Sequence, residues 1–202
     1  MAFPTTNAQT ELAAVNEILA AVGQAPVTTL EQTNPDVSIA YDTLKNVSRE
    51  VQAEGWSFNK EHHYPFSPDS NKEILIANNI LQIDLTTRFG DKDVCRSNGK
   101  LYDKAEHTYT FEDKVECDVV WLFDWVDLPV PIQDYIVAKS SAITSSRIVG
   151  DPTQFQILSQ REQTLRANAL EYDCNQADYT FFGHPEGENF YLSYQPYKAL
   201  YR

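Results

Sequence analysis

A run of apolar residues with helical spacing opens the chain, and it carries both a start signal and a stop signal. Thr10 can cap the first turn, and Gly23 supplies the left-handed residue that commonly follows a helix end. The sequence therefore predicts a short amphipathic helix over residues 10–22, whose apolar face the fold must bury. Its apolar positions are Leu12, Val15, Ile18, Leu19 and Val22.

A second helix is predicted directly downstream. Asn34, Pro35 and Asp36 place a cap, a first-turn proline and an acid at a helix start. One apolar face follows at 3.6-residue spacing, and Gly55 is expected to end the helix. The face consists of Val37, Ala40, Tyr41, Leu44, Val47 and Val51.

The same region carries patterns that resemble a known family. Residues 14–20 read Ala-Val-Asn-x-Ile-Leu-Ala, residues 23–31 read Gly-x-x-Pro-Val-x-Thr-Leu-Glu, and residues 55–59 read Gly-Trp-x-Phe-Asn. These patterns and their separation resemble the tail tubular protein A family of short-tailed bacteriophages, the podoviruses. The resemblance covers at least residues 11–59.

The resemblance implies a structural protein of the virion tail that is assembled in the host cytoplasm. It implies a dodecameric ring, the head-to-tail connector, with the portal protein at one end and the tail nozzle at the other. The nozzle consists of tubular protein B subunits. The ring would line the path of DNA ejection, and no enzyme activity and no cofactor are implied.

Charge and cysteine content narrow the classes of protein to which this chain could belong. A net charge of −13 disfavours tight nucleic-acid binding, because Lys and Arg supply most phosphate affinity, but genomic DNA could still pass without sticking. Cys95, Cys117 and Cys174 are far apart and indicate reduced thiols. No apolar run is long enough for a membrane span, and the first residues lack the features of a signal peptide.

Residues 57–128 change from helical to β-type patterning. Branched and aromatic residues with partial alternation predict strands over 74–76, 80–85 and 115–123. Residues 78–79 and 97–100 are predicted turns, and Asn98-Gly99 in the second is a strong hairpin signal. These patterns predict a small antiparallel sheet inserted between two helical halves.

Helices return after residue 128, and together the segments predict an α+β fold. Pro131 suits a first helical turn, Gly150 ends that helix, and Asp151-Pro152 starts a last helix that runs to Ala177. The predicted organisation is a bundle of about four helices over 8–56 and 130–178, a β-sheet module over 57–128, and an extended aromatic tail over 179–202.

A search for catalytic patterns predicts no catalytic residue, no metal site and no cofactor. The scattered glycines form neither a P-loop nor a dinucleotide-binding turn, and no Gly-x-Ser-x-Gly elbow exists. No two histidines have the spacing of a helix-borne metal pair. The adjacent His62 and His63 would point to opposite faces of an extended strand, which predicts one packed and one solvated ring.

Carboxylates are the chemical group in excess, and they leave an alternative function open. Paired acids beside Trp121 and Trp125 could form the site of a carbohydrate hydrolase or a sugar-binding module, if two carboxylates lie at a suitable distance. We favour an acidic rim or channel face instead. The acids between residues 103 and 127 are Asp103, Glu106, Glu112, Asp113, Glu116, Asp118, Asp124 and Asp127.

The last residues form an aromatic segment broken by proline and glycine. It could fold back over the core as a flap, or it could bury its rings on the portal or on a neighbouring subunit. We favour the docking arm, because exposed aromatic residues are enriched where interfaces form. Its aromatic residues are Tyr179, Phe181, Phe182, Phe190, Tyr191, Tyr194, Tyr197 and Tyr201.

Overall fold

The computed structural model describes residues 10–30, 34–86 and 92–177, and it confirms the α+β fold. The helices are α1 (Glu11–Ala21), α2 (Pro35–Gln52), α3 (Val130–Ile148) and α4 (Pro152–Ala177). The strands are β1 (Lys60–Phe66), β2 (Ile80–Leu85), β3 (Val94–Ser97), β4 (Lys100–Asp103) and β5 (Val115–Trp121). A short 3-10 helix, Trp125–Asp127, precedes α3.

The predicted helix starts and stops are present. The Thr10 hydroxyl accepts a hydrogen bond from the Ala13 N–H, and the Asn34 side chain accepts one from the Asp36 N–H. Gly23 follows α1 with a φ of 77°, a conformation that favours glycine. Local chemistry therefore sets these helix boundaries.

The sheet module has two layers. β1, β5 and β2 form an antiparallel sheet with β5 in the centre, and β3 and β4 form a hairpin. The hairpin turn is the predicted one, with positive φ at both Asn98 and Gly99. The prediction of a strand over 74–76 is wrong, because this segment makes only isolated bridges such as Leu75 with Lys100.

Two apolar cores lie in the described residues, one in each region. The helical core surrounds α3, whose Ile132, Tyr135 and Ile136 are fully buried between the other helices. The second core lies between the three-stranded sheet and the hairpin, and includes Leu101 and Phe111. The two regions meet where α2 ends and β1 begins.

Candidate functional surfaces

The patterns over residues 14–20 and 23–31 are joined by hydrogen bonds that hold the segment after α1 against the helix. The Asn16 side chain donates to the Val27 carbonyl at 2.9 Å and accepts from the Val27 N–H at 2.7 Å. This reciprocal pair holds the Pro-Val connection against the helix. The asparagine of the first pattern and the valine of the connection are therefore linked by hydrogen bonds, which gives their spacing a structural reason.

The pattern over residues 55–59 joins the helices to the sheet. Asn59 is buried, accepts from the Trp56 N–H, and donates to the carbonyls of Gln52 and Trp121. The Trp56 indole donates to Val51 and packs edge-on against Tyr135. The end of α2, the connecting turn and the end of β5 thus share one buried polar centre. All three family patterns therefore contribute contacts that hold the fold together.

Asp103 lies inside the molecule. It is fully buried at the end of β4, and one carboxylate oxygen accepts from the N–H groups of Ala105 and Glu106 at 2.8 and 3.3 Å. Its other oxygen has no partner among the described residues. The carboxylate organises the turn after β4, so we do not include Asp103 in a surface that meets another molecule.

Most of the other predicted acids are exposed but scattered. Glu112 forms an exposed ion pair with Lys72 at 2.7 Å, and Glu106 and Asp113 lie in neighbouring turns. Asp124 precedes the 3-10 helix and Asp127 is its last residue. The fold therefore divides the acidic run of the sequence over several surfaces.

Glu116 and Asp118 do share one face, and the fold adds a third acid to it. They are two residues apart on β5, so both project from the face opposite the buried Val115, Cys117 and Val119. Asp84 of β2 pairs directly with Asp118, which brings its side chain to the same face. We call Asp84, Glu116 and Asp118 the acidic sheet face.

Both histidines also lie on this face, so the prediction of one packed and one solvated ring is wrong. His62 Nδ1 is 3.2 Å from Asp118, His63 Nδ1 is 4.0 Å from Glu116, and both side chains are about half exposed. The cause is a bulge between Glu61 and Tyr64, where the register with β5 shifts and His63 takes a positive φ of 57°. The bulge cancels the alternation that a regular strand would impose.

Asp84 escaped the sequence search because it lies outside the run from 103 to 127. The alternation of Gln82 and Asp84 in β2 was the available signal, since polar residues two apart mark the solvent side of a strand. Within the described residues, no group of three or more His, Cys, Asp or Glu side chains is arranged to hold a metal ion.

The two tryptophans beside the acids have packing roles. Trp125 is buried in the helical core. Trp121 packs edge-on against Tyr64 at 5.2 Å, and its indole donates to Glu61 at 2.9 Å. The hydrolase or sugar-binding alternative requires paired carboxylates beside these rings, whereas the indole of Trp121 contacts the single carboxylate of Glu61.

Two adjoining grooves run along α2, and no sequence pattern indicated them. The first, about 340 Å³, has an apolar wall that includes Leu44, Leu122 and Phe123. The second, about 520 Å³, is lined by Leu81 and Gln82 among others, and both grooves share Asn46 and Arg49. In the part of the chain that the structure describes, the Arg49 guanidinium has no hydrogen-bond or ion-pair partner. We call this surface the α2 groove.

The outward side of α4 is a further surface. Only Ala169 and Ala177 of this helix are buried, whereas Phe155, Ile157 and Leu170 are 43, 63 and 45% exposed. The charged residues at its exposed positions are Arg161, which pairs with Glu17, and Glu171. Amides fill most of the rest. These residues are Gln156, Gln160, Gln163, Asn168, Asn175 and Gln176.

The predicted docking arm over 179–202 lies outside the described residues, so its eight aromatic residues remain a prediction. Among the residues that are described, no helix is both long enough and apolar enough to cross a bilayer.

Comparison with known proteins places the chain in a family. A family model described as tail tubular protein matches residues 12–179, which includes all four helices up to the end of α4 and the whole sheet module. A curated relative, the tail tubular protein A of Klebsiella phage KP34, is 23% identical over 163 residues. That alignment covers 79% of this chain and 84% of the relative.

The match extends well beyond the patterns at residues 14–31 and 55–59, through the sheet module and into the last helix. It is consistent with the structure, in which those patterns tie the elements of one fold together. The chain belongs to the tail tubular protein family and is a structural component of a phage tail.

Proposed function

We propose that this protein forms the ring, of twelve copies, that connects the portal to the tail nozzle and surrounds the path of DNA ejection. The observation that carries the proposal is the family match over residues 12–179. Its partners are then the portal protein, tubular protein B subunits and further copies of the same chain. Electron microscopy of the purified chain, alone and mixed with its portal, tests this directly. A ring on the portal is expected, and a chain that never associates with the portal would refute it.

We assign the acidic sheet face to the DNA path. Asp84, Glu116 and Asp118 present three carboxylates on one open face, with the half-exposed His62 and His63 beside Asp118 and Glu116. Such a surface repels the phosphate backbone, so a passing duplex would not stick to it.

Charge reversal tests this assignment with an internal control. Glu116→Lys with Asp118→Lys should create salt-sensitive affinity for duplex DNA and slow genome ejection. Glu112→Lys with Asp113→Lys changes the net charge equally in the exposed segment just before β5, outside the acidic sheet face, and it should affect ejection less. Equal effects of the two pairs, or normal ejection by both, would remove the acidic sheet face from the DNA path.

The aromatic tail is proposed as the arm that docks on the portal or on a neighbouring subunit. Each buried ring contributes roughly 1.5–3 kcal/mol, while ordering each backbone residue costs about 1–2 kcal/mol. Backbone pairing with the partner must therefore add to the rings, as in strand addition to a sheet edge. Deleting residues 179–202 should leave the melting transition unchanged and abolish attachment to the portal. Unfolding of the truncated chain, or normal attachment, would contradict the arm.

A further inference from the structure

The α2 groove begins beside the first residues that the structure describes. Glu11, in the first turn of α1, lines the groove, and its carboxylate accepts a hydrogen bond at 2.9 Å from the hydroxyl of Tyr41. Tyr41 is the first α2 residue of the groove wall, which continues along the helix to Arg49, about 12 Å away at 1.5 Å per residue. Nine residues precede Thr10, so their point of attachment lies next to the groove.

The opposite wall of the groove is held in place by the fold. It consists of residues 122–125, and the Phe123 N–H donates to Gln52 Oε1 at 2.8 Å, while the Phe123 carbonyl accepts from Gln52 Nε2 at 3.2 Å. Gln52 is fully buried at the end of α2. The apolar surface that Leu44, Leu122 and Phe123 form is therefore built before any occupant arrives.

Residues 1–9 are long enough to follow the groove, and local chemistry favours an extended path. An extended chain advances about 3.3 Å per residue, so nine residues reach about 30 Å. Thr10 leaves α1 in an extended conformation, with φ −75° and ψ 154°, and Pro4 restricts Phe3 to extended backbone. The C-terminal segment, by contrast, starts after Ala177, and no described residue of α4 lines the groove.

The composition of residues 1–9 suits a groove whose lining carries charges of both signs. An acidic or a basic occupant would be repelled by part of this lining, whereas residues 1–9 contain no charged side chain. Phe3 is their one aromatic residue, and the apolar wall can take its ring out of water. The charged residues of the first part of the groove are Glu11, Lys45, Arg49 and Asp124.

We propose that residues 1–9 fold back along the α2 groove of their own chain, with Phe3 against the apolar wall. The contact closes the groove to other occupants and does not depend on the proposed ring. It involves residues outside the matched family region, which begins at residue 12.

Cysteine alkylation measures whether the groove is covered. Asn46→Cys places a thiol in the groove, because Asn46 is exposed and lines both of its parts, and Asn71→Cys is the matched control at an exposed turn of the sheet module. Deleting residues 2–9 should raise the alkylation rate at position 46 by about threefold or more and leave the rate at position 71 unchanged.

Phe3→Ser in the full chain should also raise the rate at position 46, which separates loss of the contact from any effect of the deletion on folding. An unchanged rate at position 46 in both variants, or an equal rise at positions 46 and 71, would overturn the proposal.

A photo-crosslinking residue at position 3 identifies the surface that this segment contacts. The crosslinked peptides should come from residues 41–49 or 122–125. In a mixture of isotopically light and heavy protein, both peptides of each crosslink should carry the same label, because they belong to one chain. Mixed labels would place the segment on another copy, and crosslinks to a different surface would remove it from the groove, so either result would contradict the contact. Neither result bears on ring formation, which is tested separately with the portal.

Discussion

The two C-terminal helices are neighbours in sequence and in space, yet their surroundings differ. α3 buries eleven of its 19 residues, including Ile136, whereas α4 buries only two of its 26. α3 is the shared centre against which the other three helices pack, and α4 covers it from one side. A helix can therefore be a full member of a bundle and still leave most of its residues at least partly exposed.

The largest expected effect comes from the same substitution in both helices. Ile136 is fully buried in α3, so Ile136→Ala should cost about 2–5 kcal/mol of unfolding free energy through lost burial and the cavity left behind. Ile157 of α4 is 63% exposed, and Ile157→Ala should change stability by no more than about 0.5 kcal/mol. Denaturant unfolding of both variants measures the difference. Equal losses would show that Ile157 is covered in the free chain.

A smaller effect of opposite sign is expected from the hydroxyls of α3. Ser140 is fully buried, and among the described residues its hydroxyl has no hydrogen-bond partner. Ser140→Ala should therefore stabilise the protein by about 1 kcal/mol, because an unsatisfied buried polar group is removed. Ser141 is the matched control, since its hydroxyl donates to the Val137 carbonyl at 2.8 Å. If Ser140→Ala is less stable than Ser141→Ala, the Ser140 hydroxyl has a partner after all.

The smallest effect concerns thiol reactivity and leaves the fold unchanged. Burial, together with the charges of Asp118 and Asp84, raises the pKa of the Cys117 thiol to about 12. Cys174 is exposed on α4. At pH 8 an alkylating reagent should modify Cys174 readily and Cys117 only after unfolding, because the thiolate is the reactive form. Mass spectrometry after brief alkylation distinguishes the two.

The raised pKa of Cys117 also sets a direction for stability at high pH. Below about pH 8.5 the thiol is protonated in both the folded and the unfolded chain, so it adds no pH dependence. Above that pH the unfolded thiol ionises while the buried thiol keeps its proton. Linkage then predicts that stability falls as pH rises toward 12. A Cys117→Ala variant should lose this part of the alkaline decline.

The acidic surface shows how far sequence can predict a site. The excess of carboxylates between 103 and 127 is visible in the sequence, but the fold buries Asp103, pairs Glu112 with Lys72 and brings Asp84 beside Asp118. Strand pairing joins residues far apart in the chain, and no local pattern reports that register.

The sequence by itself determined the elements whose causes are local. Thr10, Asn34 and Gly23 mark helix ends, and Asn98-Gly99 marks the hairpin turn, because caps and positive φ angles depend on a few adjacent residues. The family patterns over residues 14–31 and 55–59 could also be identified from the sequence alone.

The tertiary structure alone decided which surfaces remain open. α3 and α4 are both predicted as helices, but only packing makes α3 the centre and leaves Ile157 exposed. Similarly, only the bulge in β1 places His62 and His63 on one face. Burial depends on contacts between residues distant in sequence, whereas helix boundaries depend on the backbone groups of a single turn.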